Sequence, residues 1–456
     1  MEKFKCLLFF VVVSLCSCDA YKILAVFPMP SPSHGILGDN MVKHLLNAGH
    51  EVTYITPFAS KQKSNPKLHI VDVTDHHNFF NTDLLDITQI LAGSMNFKDP
   101  NFVFSMMMNI AAMTLEHRNV QKLMKDPQQK FDVIIGEYMF ADLYSTEYYK
   151  REEEVYQKHI VPILKEQGKP VPDYKVLKYN ASLLLGNSQV AIGNAVPLPP
   201  SYKHIGGYHI EDEVKPLPED LKKIMDNAKN GVIYFSLGSN LKSKNLPDEL
   251  KKGLLEVFGG LKQTVLWKFE ENLPNQPKNV HIVQWAPQQS LLAHPNLVLF
   301  VTHGGLLSLT EAVHFGVPVI AIPVFADQFL NANQAQHKGI GEKVDLTYNL
   351  HKDLKVALDK VLADLPKYTG RMKELSTAYH DSPMKPKEAL NFWVEHVVRT
   401  RGATHLRSVA LQVPLYQQAY LDLLVVLLAA AVAILLLVKK ILCYFKSQKS
   451  IKQKEN

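Results

Sequence analysis

The sequence predicts an α/β protein built from two Rossmann-like domains, followed by one helix that crosses a membrane. Along most of the chain, short apolar runs alternate with helical patterns, which is typical of parallel β-α-β units. The chain has 456 residues, enough for two substantial domains. Near its end, residues 421–438 are apolar except for Asp422, and a run of this length can cross a bilayer.

The first predicted domain covers residues 21–205. Its strands are predicted at residues 21–27, 51–56, 68–73, 131–136 and 181–192. A loop is predicted at residues 28–38, and helices at residues 39–48, 83–124 (with a break near Pro100) and 144–167. Methionines in the second helix fit either a pocket for varied lipophilic molecules or, as the favoured interpretation, ordinary core. They are Met106, Met107, Met108 and Met113.

A segment rich in proline and glycine, residues 206–218, is predicted to link this domain to a second one at residues 219–385. The second domain opens with a strand at residues 231–238, and its end, Ser236-Leu237-Gly238-Ser239, forms a glycine turn. A helix at residues 247–258 and a strand at residues 264–268 follow. Residues 386–420 are predicted to hold a further helix and a juxtamembrane segment, and residues 439–456 a lysine-rich tail.

The most informative stretch runs from Trp285 to Gln328. An apolar strand at residues 296–302 leads into the turn His303-Gly304-Gly305, and a helix at 306–315 and a strand at 317–323 follow. Turn glycines let backbone N–H groups approach a ligand, and a helix N-terminus carries partial positive charge, so this unit predicts a phosphate site. Glu311 can accept hydrogen bonds from ribose hydroxyls, and the Trp285 indole offers a flat surface for a nucleobase.

This stretch resembles the donor-binding signature of the UDP-glycosyltransferases, without a gap. The residues that hold the family spacing are Trp285, Gln288, His303, Gly304, Gly305, Ser308, Glu311, Pro318, Pro323, Asp327 and Gln328. The resemblance covers nearly the whole chain and implies a GT-B type of fold, in which the two domains face each other across a cleft. It also implies that the helix at residues 386–399 crosses back onto the first domain.

The resemblance implies a role for each group of these residues. Trp285 would stack on uracil, and Gln288 would bind the edge of that base. His303 and the turn amides would hold and neutralise the diphosphate, with Ser239 as a further contact, so that neither a metal ion nor another cofactor is needed. The residues expected on the ribose and the transferred sugar are Glu311 for the first, and Asp327 and Gln328 for the second.

Glycosyl transfer also needs a base for the acceptor hydroxyl. His34 follows the first strand, at the edge where Rossmann-like domains bind ligands, and the resemblance implies that it is the general base of an inverting reaction. In the family an aspartate orients this histidine, whereas here Glu137 stands at that place, five residues after Asp132. The longer side chain is a departure, and a surface glutamate at a strand end is the alternative interpretation.

A second departure concerns length. Between the strand ending at Gly136 and the one starting near Ala181, family members usually carry several dozen more residues, which line the acceptor pocket. Two interpretations follow: an enzyme that moves a sugar from UDP-glucose or another UDP-hexose to small lipophilic molecules, or a donor-binding partner of full-length relatives with impaired turnover. Ala195-Val196-Pro197 stands where glucuronate-using relatives tend to carry an arginine, and this favours glucose.

The chain ends predict a single-pass protein of the endoplasmic reticulum membrane with its bulk in the lumen. Residues 1–20 form a predicted signal peptide, and six lysines after residue 438 indicate a cytosolic tail. Lys452 and Lys454 resemble a retrieval signal of that membrane, with a solvated basic tail as the alternative. Asn180 begins a glycosylation sequon that is usable in the lumen.

Charge and cysteine content describe the predicted lumenal part further. Lys and Arg number 50 against 44 Asp and Glu, and the tail and the signal peptide account for this excess, so nothing indicates nucleic-acid binding. All four cysteines, at positions 6, 16, 18 and 443, fall in the signal peptide or beyond the span, which predicts no disulfide in the lumen. Association with copies of itself or with relatives stays open.

Overall fold

The computed structural model describes residues 20–62, 64–80, 87–92, 100–137, 146–408, 410 and 413–452. These residues form two parallel sheets, of four and six strands, connected by helices, together with a separate pair of short strands. The predicted α/β class with two Rossmann-like domains is confirmed. The predicted signal peptide, apart from Ala20, and the last four residues of the predicted retrieval signal lie outside the described residues.

The first sheet has the order β3-β2-β1-β4. Its strands are β1 Lys22–Val26, β2 Glu51–Thr56, β3 Leu68–Asp72 and β4 Val133–Gly136. Val26 pairs in parallel with Ile55 on one side and with Gly136 on the other. The segments that follow β1 and β4 therefore leave the sheet side by side. The helices of this half are Pro32–Asn47, His77–Phe80, Ile87–Leu91, Pro100–Glu116, Arg118–Lys125, Thr146–His159, Val161–Glu166 and Tyr174–Tyr179.

The helix after β1 begins seven residues earlier than the sequence predicted, at Pro32 instead of residue 39. The glycines in this segment suggested a loop, because glycine is a poor helix former. Pro32, however, lies in the first turn, where its missing N–H would be unpaired in any case. Gly35 is required because the ring of Phe58 lies 2.7 Å from the position of a Cβ there. His34 is therefore held in the first turn of a helix.

Three other predictions for this half need correction. The helix predicted at residues 83–124 has, besides the expected break near Pro100, a break at His117, which is extended and caps the helix Arg118–Lys125. Of the strand predicted at residues 181–192, only Leu184–Gly186 (β5) is extended, and it pairs with Tyr202–His204 (β6) away from the main sheet. The helix predicted at residues 144–167 is interrupted at Ile160, since Pro162 cannot donate the backbone hydrogen bond that a continuous helix needs.

The second sheet has the order β12-β11-β10-β7-β8-β9. Its strands are β7 Val232–Ser236, β8 Thr264–Lys268, β9 Val280–Val283, β10 Leu297–Thr302, β11 Val319–Ala321 and β12 Gly341–Lys343. Thr302 pairs with Ser236 and with Ala321, so the turns after β7 and β10 and the loop after β11 share one edge. The helices are Glu219–Asp226, Asp248–Gly259, Gln288–Leu292, Leu306–Phe315, Gln328–His337, Leu350–Ala363, Leu365–His380 and Pro386–Arg399.

Trp267 in β8 anchors the core of the second half. It is fully buried, and its ring lies 5.1 to 5.4 Å, centre to centre, from those of Phe235, Phe258 and Phe269. Burial of each such side chain contributes roughly 1.5–3 kcal/mol to folding. Because side chains alternate along a strand, the next residue, Lys268, points away from this aromatic cluster.

Near the C-terminus, one helix returns to the first half and another leaves the molecule. Pro386–Arg399 buries Leu390 and Val394 in one cluster with Ile23 of β1, as the resemblance implies. After the short helix Leu415–Gln418 comes Leu421–Lys452, longer than the predicted span. Within its part Leu421–Lys446, which is exposed throughout, a window of 18 residues has a mean hydropathy of 3.1, so this part is long and apolar enough to cross a membrane.

Candidate active site

A cavity of about 570 Å³ lies at the carboxyl ends of β1, β7, β10 and β11 and is lined by residues of both halves. The predicted site residues that line it are His34, Ser239, Trp285, Gln288, His303, Gly305, Ser308, Glu311, Asp327 and Gln328. Glu137 and Gly304 are the predicted residues that do not line it. The structure thus brings one residue of the first half to the donor signature of the second.

His34 and Glu137 are 103 positions apart in the sequence and hydrogen-bonded to each other, through His34 Nδ1 and Glu137 Oε1. The longer glutamate therefore reaches the histidine, because β4 pairs directly with β1. Burial opposes protonation of His34, but the Glu137 carboxylate, helped by Asp327, outweighs it and raises the pKa of His34 above its usual value. With Nδ1 bound to the carboxylate, Nε2 is the ring nitrogen left for a substrate.

Gly304 shapes the turn between β10 and the helix Leu306–Phe315. Its φ of +78° is one that residues with a side chain rarely adopt, and its carbonyl accepts a 3.0 Å hydrogen bond from Asn331 Nδ2. Gly305 is the N-cap, and the first backbone N–H groups of the helix have no acceptor within it. Gly304 thus shapes the turn without lining the cavity, whereas Gly305 lines the cavity at the N-terminus of the helix.

His303 is a neutral ring in this turn. Burial, followed by the nearby positive charge of Lys268, lowers the pKa of His303 to about 4. At neutral pH the ring is therefore uncharged and can offer a phosphate a hydrogen bond. The role expected from the sequence, in which His303 and the turn amides hold and neutralise the diphosphate, stays a prediction.

Glu311 is held by a network of polar side chains. Gln288 Nε2 donates to Glu311 Oε2 at 2.5 Å and to Ser308 Oγ at 3.1 Å, and Gln289 Nε2 donates to Glu311 Oε1 at 3.2 Å. His209 Nε2, from the linker, lies 3.5 Å from Glu311 Oε1. The carboxylate is only 6% exposed, so its orientation is set before a ligand arrives.

Trp285 and Asp327 present contrasting surfaces to the cavity. The Trp285 side chain is 69% exposed, so the face of its indole is available to a planar ligand. Burial raises the pKa of Asp327, although a 2.8 Å hydrogen bond from Asn331 Nδ2 favours the charged form. Gln328 uses its Oε1 to accept the backbone N–H groups of Val324 and Phe325, at 2.9 and 3.1 Å.

The first half contributes both apolar and polar side chains to the cavity. Met106 and Met107 line it, whereas Met108 is buried in the interior, so the methionine run serves both a pocket and a core. The hydroxyl of Ser31 donates a 3.1 Å hydrogen bond to Asn240 Oδ1, which connects the first half directly to the turn after β7.

Among the cavity residues that were not predicted from the sequence are Lys268, His209 and Gln289. Lys268 ends a strand, where a lysine normally reaches solvent, and only the alternation with Trp267 could have signalled that it faces a site. His209 and Gln289 lie beside residues that were singled out, but their contact with Glu311 depends on the folded linker. Within the part of the chain that the structure describes, no group of three or more metal-ligand side chains is present.

Comparison with known proteins identifies the family. Residues 133–456 match the family model described as "UDP-glucoronosyl and UDP-glucosyl transferase". A UDP-glucosyltransferase 2 of Dactylopius coccus is 30% identical, with 98% of both chains covered. The chain belongs to the UDP-glycosyltransferase family. It is therefore a glycosyltransferase enzyme that uses a UDP-sugar donor and an acceptor substrate.

Further relatives agree with this assignment. UDP-glucuronosyltransferase 2B15 of Homo sapiens is 35% identical over 57% of this chain and 49% of its own length. Among solved structures, CalG4, the calicheamicin glycosyltransferase, superposes with a TM-score of 0.58 at 17% identity, covering 84% of this chain and 99% of its own. This likeness confirms the GT-B fold that the resemblance implied.

The alignment with the Dactylopius enzyme also bears on chain length. It extends over 519 positions, whereas this chain has 456 residues, so at least 63 aligned positions have no counterpart here. The difference agrees with the several dozen residues that the sequence suggested were missing. The segment where we expected the shortening, after β4, includes residues 138–145, which lie outside the described residues.

Proposed function

We propose that this UDP-glycosyltransferase moves a hexose, with glucose favoured, from a UDP-sugar to a hydroxyl of a small lipophilic molecule. The observation that carries the proposal is His34, held by Glu137 on a cavity whose other side is formed by the donor signature. In this scheme the enzyme needs no cofactor or metal ion besides its two substrates.

In the proposed reaction, His34 Nε2 takes the proton of the acceptor hydroxyl while the hydroxyl oxygen attacks the anomeric carbon. The bond between that carbon and the diphosphate oxygen breaks, and its electron pair leaves with UDP. Glu137 stabilises the imidazolium that forms and keeps the ring in its orientation. Because the acceptor attacks from the side opposite the diphosphate, the configuration at the anomeric carbon inverts.

The donor side is proposed to work as follows. Uracil stacks on the exposed Trp285 indole. Since Gln288 Nε2 donates a hydrogen bond to Glu311, Gln288 Oε1 is the atom that accepts a hydrogen bond from the uracil N–H. Glu311 binds the ribose hydroxyls through its preoriented carboxylate. Asp327 and Gln328 bind the hydroxyls of the transferred sugar.

A lipophilic acceptor is supported by the side chains around His34. Five apolar residues of the first half line the same cavity as His34, beside the polar Ser31, Ser33, Asn40 and Asn187: Met29, Ile36, Leu37, Met106 and Met107. Apolar walls with few polar groups are typical of sites for small organic molecules, and methionine side chains adapt to different shapes. A positioned base in a cavity that also offers methionine and other apolar side chains suits a phenol or another alcohol.

The preference for glucose rests on the uncharged segment Ala195-Val196-Pro197, which offers no cation to a sugar carboxylate. The name of the Dactylopius relative, a UDP-glucosyltransferase, supports it, whereas the human relative is a UDP-glucuronosyltransferase. Parallel assays with UDP-glucose and UDP-glucuronate decide between the two sugars.

We place the enzyme in the endoplasmic reticulum membrane, as a single-pass type I protein with a lumenal catalytic part. The apolar helix Leu421–Lys446 and the lysines after it support this topology. Asn180 is exposed, as an acceptor of N-linked glycan must be. Treatment of the membrane-bound protein with endoglycosidase H tests the orientation: a mobility shift that Asn180→Gln abolishes is the expected result.

A donor-binding partner without turnover is the alternative function. The ion pair of His34 with Glu137 disfavours it, because a chain that only binds UDP-sugar has no need of an oriented base. The shortened segment after β4 is the one feature that favours it.

The deciding experiment measures UDP release from UDP-glucose by membranes that contain the full chain, with a panel of phenols and other lipophilic alcohols. We expect acceptor-dependent release that His34→Ala abolishes while UDP binding is retained. Glu311→Ala should weaken UDP binding itself and serves as the donor-side control. Wild-type membranes that bind UDP but release none with any acceptor would leave the partner function instead.

A further inference from the structure

Lys268 is a buried lysine on the wall of the donor cavity. It ends β8 and is only 9% exposed. Trp267 before it is locked into the aromatic core, and the alternation of side chains turns Lys268 to the opposite side, where the cavity lies. The packing of its neighbour therefore fixes the side of the strand from which the Lys268 side chain projects.

The surroundings of Lys268 leave its charge without an anionic partner. Nζ donates to the carbonyl of Gly238 at 2.6 Å, and among the residues that the structure describes no carboxylate lies within ion-pair distance of it. Burial lowers the pKa of Lys268, and Glu270 offsets only part of this effect. Lysines are almost never this buried unless paired, since a desolvated charge with only a neutral acceptor is costly. Such a group fits a site whose anion arrives with the ligand.

The neighbours of Lys268 indicate which part of a ligand it would meet. Nζ lies 5.6 Å from the centre of the Trp285 ring, the platform proposed for uracil. Its partner Gly238 lies against the ring of His303, because a Cβ on Gly238 would come within 2.7 Å of that ring. The ammonium group thus stands next to both the nucleobase platform and the turn at the N-terminus of the helix Leu306–Phe315.

We propose that Lys268 binds the diphosphate of the UDP-sugar and supplies a positive charge to it. This rests on the proposed donor site and goes beyond it by assigning the charge to one residue. When the bond to the anomeric carbon breaks, the electron pair moves onto the diphosphate oxygen, and the ammonium lies where this added negative charge appears. The proton lost by the acceptor goes to His34, so no other reactant is required.

A purely structural role for Lys268, holding the Gly238 carbonyl and its turn, makes a different prediction. Loss of that role would disturb the whole donor cavity and weaken uridine and UDP alike. Loss of a diphosphate contact would weaken UDP alone, since uridine carries no phosphate. The ratio of the two dissociation constants therefore separates the roles.

The test measures binding of uridine and of UDP by calorimetry to the purified full chain in detergent micelles. Wild type should bind UDP more tightly than uridine. Lys268→Met, which keeps the length of the side chain but not its charge, should weaken UDP binding roughly 10- to 100-fold, the effect of one charge-assisted hydrogen bond. Uridine binding should change less than about two-fold, and Lys268→Arg should retain most of the preference for UDP. Lys262→Met, an exposed lysine before the same strand, serves as the matched control and should bind like wild type.

The possible results are distinguishable. An unchanged preference for UDP in Lys268→Met, or equal losses of uridine and UDP, would overturn the assignment of the diphosphate to Lys268. Equal affinity of the wild type for both ligands would do the same. Binding of neither ligand by the wild type would instead overturn the proposed donor site, and the inference with it.

Discussion

The two halves of the cavity differ in how their chemistry is encoded in the chain. Apart from Ser239, the predicted donor residues lie between Trp285 and Gln328, on the helices Gln288–Leu292, Leu306–Phe315 and Gln328–His337 and in the loops before them. The acceptor pair, His34 and Glu137, is separated by 103 positions and meets only because β4 pairs with β1. A signature contained in one short segment can be kept when the rest of the fold changes. A pair of residues brought together by strand pairing is kept only when that pairing is kept.

The two sheets also differ in how the strand that leads to the functional residues is paired with its neighbours. β10, which carries the donor turn, has a neighbour on each side, β7 and β11. β4, which carries Glu137, is at the edge of its sheet within the described residues, and its Ile134 is 64% exposed. The base is thus oriented from the less supported of the two strands, on the half where the sequence predicts that this chain is shortened.

Among the variants that test the contrast between the two halves, we expect the largest loss of activity from a change at Glu137. Glu137→Gln keeps the shape of the side chain but removes the charge that raises the pKa of His34, and turnover should fall roughly 10²-fold because the imidazolium is less stabilised. The free base is the active form, so the acidic limb of kcat/KM in the wild type should lie above the usual histidine pKa. In the variant this limb should move to lower pH.

A shorter acid provides the control for this prediction. Glu137→Asp restores the residue usual in the family but withdraws the carboxylate by one methylene, so we expect lower activity than wild type with UDP binding unchanged. Full activity of Glu137→Asp would mean that the distance between the carboxylate at position 137 and His34 adjusts freely and is not fixed by the pairing of β1 with β4.

On the donor half, Trp285→Ala should weaken UDP binding by about 1–3 kcal/mol, the range of base stacking on an aromatic side chain. Trp285→Phe keeps a smaller platform and should lose less. Equilibrium binding of UDP measures both variants, and the pH profile of turnover should not move, because Trp285 is not paired with His34. A shifted pH profile would show that the donor and acceptor residues influence each other more strongly than their places in separate parts of the sequence suggest.

The same contrast explains what the sequence could predict. The strand Thr264–Lys268 and the helix Leu306–Phe315 were predicted to the residue, because their apolar patterns and flanking glycines are local signals. The helix start at Pro32 was missed because the need for Gly35 arises from Phe58, a distant residue. Lys268 was missed because its burial depends on the core behind Trp267.

Short strands were missed for a related reason. β12, with the residues Gly341–Lys343, carries a glutamate and a lysine and has no apolar run of its own, so its pairing with β11 is set by the sheet. In the acceptor half, β6, with the residues Tyr202–His204, was also not predicted, and it pairs with β5 outside the main sheet. Strands that form because a neighbouring strand pairs with them show little recognisable pattern in their own sequence.

Gly304→Ala should destabilise the donor turn by about 1–3 kcal/mol, since alanine would have to adopt a φ of +78° with the carbonyl of Gln328 3.3 Å from its Cβ. Gly370→Ala is the matched control: this glycine lies in the helix Leu365–His380 with nothing near its Cβ position, and alanine there should stabilise by about 0.4–1 kcal/mol. Chemical denaturation followed by tryptophan fluorescence compares the two. Equal stabilities would mean that the turn relaxes without the glycine.

The smallest effect we expect concerns local stability. Backbone amides of β4 should exchange with deuterium faster than those of β10, because an edge strand opens at a lower free energy than a strand paired on both sides. Mass spectrometry of peptides covering residues 133–136 and 297–302 in the full chain measures the difference. UDP should slow exchange near β10 far more than near β4, since the donor turn follows β10. Equal protection of both strands without ligand would mean that chain segments beyond β4 support it as firmly as a second paired strand, and the acceptor half would then be no weaker than the donor half.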